Sequence, residues 1–211
     1  HKEYRRQRQM CIRDRLDHVK LFRGDVLNHS LVKLVEEFIP GGTHHKLIAN
    51  LPYYITTPVL FHFLESPIFF ERIVVMLQEE VGMRLAAAVN TPDYGVLTIA
   101  GQIYADVDIV HRVPASCFVP QPKVDSCIVR FKCHPRRDNN IDEQRFVMKV
   151  VRAAFSQRRK TLRNSLTTSF GAPKDAVLAA LATSGIDDGR RPQTLTLAEF
   201  RQLAGEIRSR I

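Results

Sequence analysis

Four consecutive residues, Asn50, Leu51, Pro52 and Tyr53, combine the side chains needed to hold a flat aromatic amine for attack on an electrophile. An aromatic amine is a poor nucleophile because its lone pair is delocalised into the ring. The Asn50 amide oxygen and a backbone carbonyl near Pro52 can each accept one N–H of such an amine. Those two bonds orient the nitrogen and favour its electron-rich geometry, which is positioning and electrostatics rather than proton abstraction. Pro52 fixes its own φ and biases Leu51 towards an extended conformation. Tyr53 offers a face on which an extruded nucleobase can stack. The same four residues also fit an ordinary strand-to-helix turn in which Asn caps and Tyr packs.

The elements that must position them follow from pattern. Residues 46–49 form a short apolar run that reads as a buried strand, and Thr57 with Pro58 reads as the N-cap and first position of a helix. A functional tetrapeptide at the carboxyl end of a strand is where open α/β sheets place their ligands. Upstream, residues 19–22 read as another strand, followed by Gly24, Asp25 and Val26. Asp25 could accept an adenine amino hydrogen while the Val26 backbone N–H meets the ring; a solvated Gly-Asp turn is the alternative. Ser30 caps an amphipathic helix carrying Leu31, Leu34, Val35 and Phe38, ended by Pro40, Gly41 and Gly42. After a helix over 59–64, residues 72–77 give the next strand and 78–89 the next helix, whose Arg84 is a candidate for phosphate contact.

Residues 96–113 read as one long strand, with 127–131 as its antiparallel partner. The segment from Pro114 to Asp125 is too proline-rich for either regular element. It is a rigid loop carrying Phe118, which could clamp the far face of a base, and Lys123, which could meet phosphate. Packing of Phe118 into the core is the other reading. From Asp142 the pattern is helical: Phe146, Val147, Val150, Val151, Ala154 and Phe155 share one apolar face. Arg145, Lys149, Arg152, Arg159 and Arg163 recur on another, and Arg158, Arg159 and Lys160 form a knot of charge where the helix can break. No acid lies between Lys149 and Ser169, so phosphate binding that orients the protein without reading sequence explains this stripe better than a solvated face. A further helix over 173–182 stops at Gly185, and Thr196 with Glu199 makes a capping box for the last one.

Composition bounds the rest. The 211 residues are 45% hydrophobic, enough for a medium domain plus a small one, and carry a net charge of +9. Residues 1–15 hold six Lys or Arg against Glu3 and Asp14, so +5 remains for the rest of the chain. That leader has no apolar periodicity and resembles translated adapter sequence; a basic arm for RNA is the alternative. Four cysteines without Cys-x-x-Cys spacing and scattered histidines argue against a metal site. No stretch is long enough to span a bilayer and no signal-peptide pattern is present, so a cytoplasmic protein with no membrane partner is expected.

Five blocks in order carry a resemblance: Asn50 to Ile55 with Thr57 and Pro58; Met76 to Val81; Tyr94 with Gly95; Phe118 to Ser126; and Phe155 to Ser165. Together they closely resemble the KsgA family, the small-subunit ribosomal RNA adenine dimethyltransferases, from about Leu16 to the C-terminus. The resemblance implies an α/β fold, the class I Rossmann-like methyltransferase sheet, with a small C-terminal all-α domain. It implies S-adenosyl-L-methionine as methyl donor, small-subunit rRNA in a pre-30S particle as partner, a monomer, and no metal. By resemblance, Asn50, Leu51, Pro52, Tyr53 and Phe118 form the catalytic site, with the Asn50 amide and the Pro52 carbonyl on the amine. Asp25, Val26 and Asn50 belong to the cofactor site. Arg84, Lys123, Arg152, Arg158, Arg159, Lys160 and Arg163 bind RNA.

One part of the family pattern is missing. Members begin with a strand and a Gly-rich turn cradling the methionine end of the cofactor, then a second strand ending in an acid; no Gly-x-Gly occurs in this sequence. In the class strand order 3-2-1-4-5-7-6, the two absent strands lie between the strand over 19–22 and the one over 46–49. The expectation is an N-terminally truncated dimethyltransferase: 1–15 a non-native leader, 16–134 a partial methyltransferase domain, 135–211 a helical RNA-binding domain. The expected edge of the 46–49 strand is then open. Two other readings fit the same residues: a non-catalytic RNA-binding or ribosome assembly protein, and an adenine N6-methyltransferase acting on large-subunit rRNA or DNA. Lacking the Gly-rich turn, the 211-residue chain is expected to bind S-adenosylmethionine weakly or not at all. Titration calorimetry checks this, and micromolar affinity would refute it.

Overall fold

A computed structural model describes residues 19–42, 44–135, 141–157, 159–171 and 173–211. Its four strands are β1 (His45–Asn50), β2 (Phe70–Gln78), β3 (Ala105–Val113) and β4 (Ser126–Cys133). They lie in the order β1-β2-β4-β3, with β1 parallel to β2 and the other two pairs antiparallel. This is the 4-5-7-6 half of the class order, and β1 is its open edge. Ile48 on that strand is 85% exposed. Residues 19–22 form no strand: a ladder needs a partner, and among the described residues none pairs with them.

Helix α1 (Leu31–Phe38) begins where Ser30 accepts the Lys33 N–H, and α2 (Thr56–Leu64) follows the tetrapeptide. Its start differs from expectation. A 3-10 turn over Tyr53–Ile55 runs straight into the helix, so Thr57 does not cap and Pro58 sits inside the first turn. Helix α3 (Glu79–Leu85) is shorter than the expected 78–89, because the chain turns at Thr91, whose hydroxyl donates to the Ala88 carbonyl, and Asn90 takes a positive φ.

The long strand expected over 96–113 is half helix. Residues Val96–Tyr104 form α4, and only Ala105 onwards is strand. Val96, Thr98, Ile99 and Ile103 are β-branched, which suggested a strand. Burial on two sides overrides that preference. Ile99 and Ile103 enter the core of the C-terminal helices, while Leu97 and Tyr104 pack on the sheet core. Thr98 fixes the helix start, accepting the Gly95 N–H at 3.0 Å and donating to the Arg84 carbonyl at 2.5 Å.

The sheet core stacks Ile73, Val75, Leu77, Cys127, Val129 and Phe131 against α2, all fully buried. Helix α3 crosses this face closely enough to require glycine: a Cβ on Gly82 would lie 2.2 Å from the Cys127 sulfur. The second core joins α5 (Ile141–Ala154), α6 (Leu162–Ser169), α7 (Lys174–Thr183) and α8 (Leu197–Arg208). The capping box at Thr196 and Glu199 is present, and Phe200, Leu203, Ala204 and Ile207 point inward. Among the described residues, no helix is long and apolar enough to cross a membrane.

Tyr94, just ahead of α4, ties the approach to that helix to the loop before α8. It is buried, and its hydroxyl donates to the Leu195 carbonyl at 2.8 Å. Burial, with the nearby Glu199 carboxylate, pushes the phenol up to about 12 from its ordinary 10. The folded chain therefore favours the neutral phenol. Stability from this group is intact below pH 10 and falls as pH climbs from 10 towards 12, where only the unfolded chain is ionised. Tyr94→Phe should remove that alkaline slope in urea titrations and, by orphaning the Leu195 carbonyl, cost about 1–3 kcal/mol at neutral pH.

Candidate active site and basic clefts

Register places the catalytic candidates at one end of the sheet. Asn50 stands opposite Met76, and Gln78 and Val113 both stand opposite Ser126. The turn after β1 and the loop from β3 to β4 therefore rise from the same edge. Side chains alternate along a strand, so Asn50 shares a face with the exposed Ile48 and its neighbour Leu51 enters the core at 5% exposure. Leu51 is the anchor: its N–H donates to the Met76 carbonyl at 3.1 Å, extending the β1–β2 pairing into the turn. Asn50 is left exposed, with no hydrogen bond among the described residues beyond the strand ladder.

One expectation for this turn needs correction. The Pro52 carbonyl already accepts the Ile55 N–H at 3.2 Å and the Thr56 hydroxyl at 3.0 Å. A carbonyl oxygen has two lone pairs, and both are used within the turn. The Leu51 carbonyl accepts no hydrogen bond among the described residues, so it is the backbone oxygen free to act beside the Asn50 amide. Tyr53 is half-buried and is held by a 2.7 Å hydrogen bond between its hydroxyl and that of Ser126.

Phe118 is half-buried in the loop between β3 and β4. The loop is closed at its base by Asp125, whose carboxylate accepts the Ala115 N–H at 2.8 Å and whose carbonyl accepts the Glu79 N–H at 3.0 Å. Lys123 is exposed and lines a cavity of about 390 Å³ with Gln78, Glu79 and Glu80. Asp25 is exposed and caps a 3-10 turn over Val26–Asn28, accepting the Leu27 N–H at 3.0 Å. Val26 and Leu27 pack on the sheet core, which brings this turn against α2, the helix the tetrapeptide leads into.

The basic residues do not form the single stripe expected. Helix α5 ends at Ala154, the chain turns through Arg159 at positive φ, and α6 starts afresh at Leu162. Arg159 and Lys160 line a cleft of about 890 Å³ with Arg84 and Arg191. Glu80 and Asp93 are the acids on its walls, against four cations. Arg152 instead lines a separate cavity of about 330 Å³ with Arg145, Lys149 and Phe170. Arg163 joins neither, because Asp188 pairs with it at 3.4 Å. Arg158 lies outside the described residues. Sequence reading missed Arg191, which is distant in the chain, and Ser126, although it closes the same block as Phe118.

Comparisons with known proteins identify the family. The family described as ribosomal RNA adenine dimethylase matches residues 8–208. The chain belongs to that family. It is 43% identical over 194 residues to the ribosomal RNA small subunit methyltransferase A of Bacillus cytotoxicus, and 44% identical over 192 residues to that of Bacillus mycoides. Each alignment covers 90% of this chain and 66% of the relative, so the chain spans just under two thirds of the length of these relatives. Among solved structures, a dimethyladenosine transferase from Plasmodium falciparum superposes with a TM-score of 0.77 at 24% identity, covering 96% of this chain and 77% of that one. The 23S rRNA methyltransferase ErmE gives 0.64 at 21% identity, covering 94% and 77%. Both share the fold, that of the class I methyltransferases.

Proposed function

We propose that this chain is the substrate-facing part of a dimethylase that methylates N6 of adenines in small-subunit rRNA, with S-adenosylmethionine as donor. The observation that carries the reading is the lone-pair arrangement at the end of β1. The exposed Asn50 side chain and the uncommitted Leu51 carbonyl are adjacent acceptors, on a turn whose remaining oxygen is already occupied. Two acceptors match the two hydrogens of an adenine amine. Binding both leaves the nitrogen lone pair directed away from the turn, and costs no reorganisation when the amine attacks. Tyr53 and Phe118 are the two stacking walls, and base extrusion into them is sequence-tolerant because every base has a π face.

Bound S-adenosylmethionine supplies an electrophilic methyl group on a sulfonium. The residues present fit its adenine end: the Asp25 carboxylate is oriented by the Leu27 N–H and keeps acceptor capacity for an exocyclic amine, with Val26 next to it. For the methionine end the sequence has no Gly-x-Gly turn, and no step is assigned to this chain there. Lys123, Arg152 and the cleft of Arg84, Arg159, Lys160 and Arg191 serve as phosphate contacts, which position the RNA without reading its sequence. Arg158 joins them by its place in the sequence.

Two measurements test this. In single-turnover methylation of small-subunit rRNA by this chain joined to the first strand and Gly-rich turn of a relative, at saturating donor, Asn50→Ala should slow methyl incorporation about 100-fold while RNA affinity is kept. Equal rates would refute the assignment. In salt titrations of binding to single-stranded RNA, Lys160→Gln should lower the slope of log K against log salt by about 0.7. Arg163→Gln should change it little, because Asp188 already neutralises that side chain.

A further inference from the structure

Resting on the stacking role just given to Tyr53, we propose that Ser126 is a positioning residue that fixes the plane of the Tyr53 ring. The Ser126 hydroxyl lies 2.7 Å from the Tyr53 hydroxyl across 73 residues of sequence. Ser126 is completely buried and is the first residue of β4, flanked in register by Gln78 of β2 and Val113 of β3. It sits in the middle of the sheet edge, where the backbone is held from both sides. Tyr53, by contrast, belongs to a 3-10 turn with no side-chain cap. The phenol is the far end of its side chain, so one bond there removes the rotation that the turn alone would permit.

The neighbouring residue does the same for the opposite wall. Asp125 closes the loop that carries Phe118 by accepting the Ala115 N–H, and ties it to α3 through the Glu79 N–H. Both aromatic walls thus take their positions from two adjacent residues, Asp125 and Ser126. Each aromatic is thus tied, directly or through its loop, to the start of β4, and a ring whose plane is fixed accepts a flat base on its face at less entropic cost.

The probe is a short single-stranded RNA carrying one central 2-aminopurine and a terminal dye, titrated with the 211-residue chain. Quenching of 2-aminopurine reports stacking, and dye anisotropy reports total RNA binding. Ser126→Ala should lower the quenched fraction relative to the unquenched one about fivefold, the worth of one hydrogen bond, with anisotropy-derived affinity changed less than about twofold. Tyr53→Phe keeps the stacking face and removes only the hydroxyl, so it should give the same loss, and the double variant should be no worse than either. Wild-type quenching in Ser126→Ala, or a double variant with two additive losses, would overturn the role of Ser126. Equal losses of quenching and affinity would also overturn it, since they mark general loosening. A wild-type chain that leaves the probe unquenched, while still binding by anisotropy, would instead overturn the stacking reading and this proposal with it.

Discussion

The hydrogen bond from the Leu51 N–H to the Met76 carbonyl continues the β1–β2 ladder one step past Asn50. Much follows from that step. Leu51 is committed to the core, so Asn50 must face the other way, onto the open side of the sheet. Pro52 cannot donate, and the ladder stops there. The chain then tightens into the turn over Tyr53–Ile55, which consumes the Pro52 carbonyl and leaves the Leu51 carbonyl free. A one-residue slip of β1 against β2 would bury Asn50 and expose Leu51. The site is therefore specified by apolar packing well before any polar group is considered.

Helix α4 plays the corresponding part for the molecule as a whole. One side packs on the sheet core and the other lies in the core of the C-terminal helices, and Tyr94 at its approach bonds to Leu195. The helical part is accordingly not a bead on a string: its core includes Tyr94, Ile99 and Ile103 from the sheet side. The cleft lined by Arg84, Arg159, Lys160 and Arg191 runs along this joint, drawing from α3 and from two loops of the helical part. Its geometry depends on the joint staying closed.

The turn at Asn50, the paired strands β3 and β4, the Ser30 cap and the Thr196 box were legible because each is written in a few adjacent residues with a local physical reason. What was not legible depends on partners far away in the chain. Residues 19–22 have strand composition, but a strand exists only where another supplies its ladder. Residues 96–104 have strand composition too, yet the spacing of Val96, Ile99, Ala100 and Ile103 is helical, and burial on both sides decided between the two signals. The Pro52 and Leu51 carbonyls are indistinguishable in sequence; the Ile55 N–H and the Thr56 hydroxyl, both folding back on the former, separate them. Arg163 looked free of acids because its partner Asp188 lies far along the chain, beyond α7.

The separation of charge from chemistry has a further consequence. Asn50, Leu51, Pro52, Tyr53, Phe118 and Ser126 include no ionised side chain. The arginines and lysines gather instead on α3, α5 and the loops of the helical part. Phosphate contacts are nearly independent of base identity, so they can hold RNA in many registers. On the reading proposed above, the neutral acceptors at the end of β1 add little to that affinity and select instead for a base with two amine hydrogens. Under that proposal the split lets RNA dwell on the surface while candidate bases are presented.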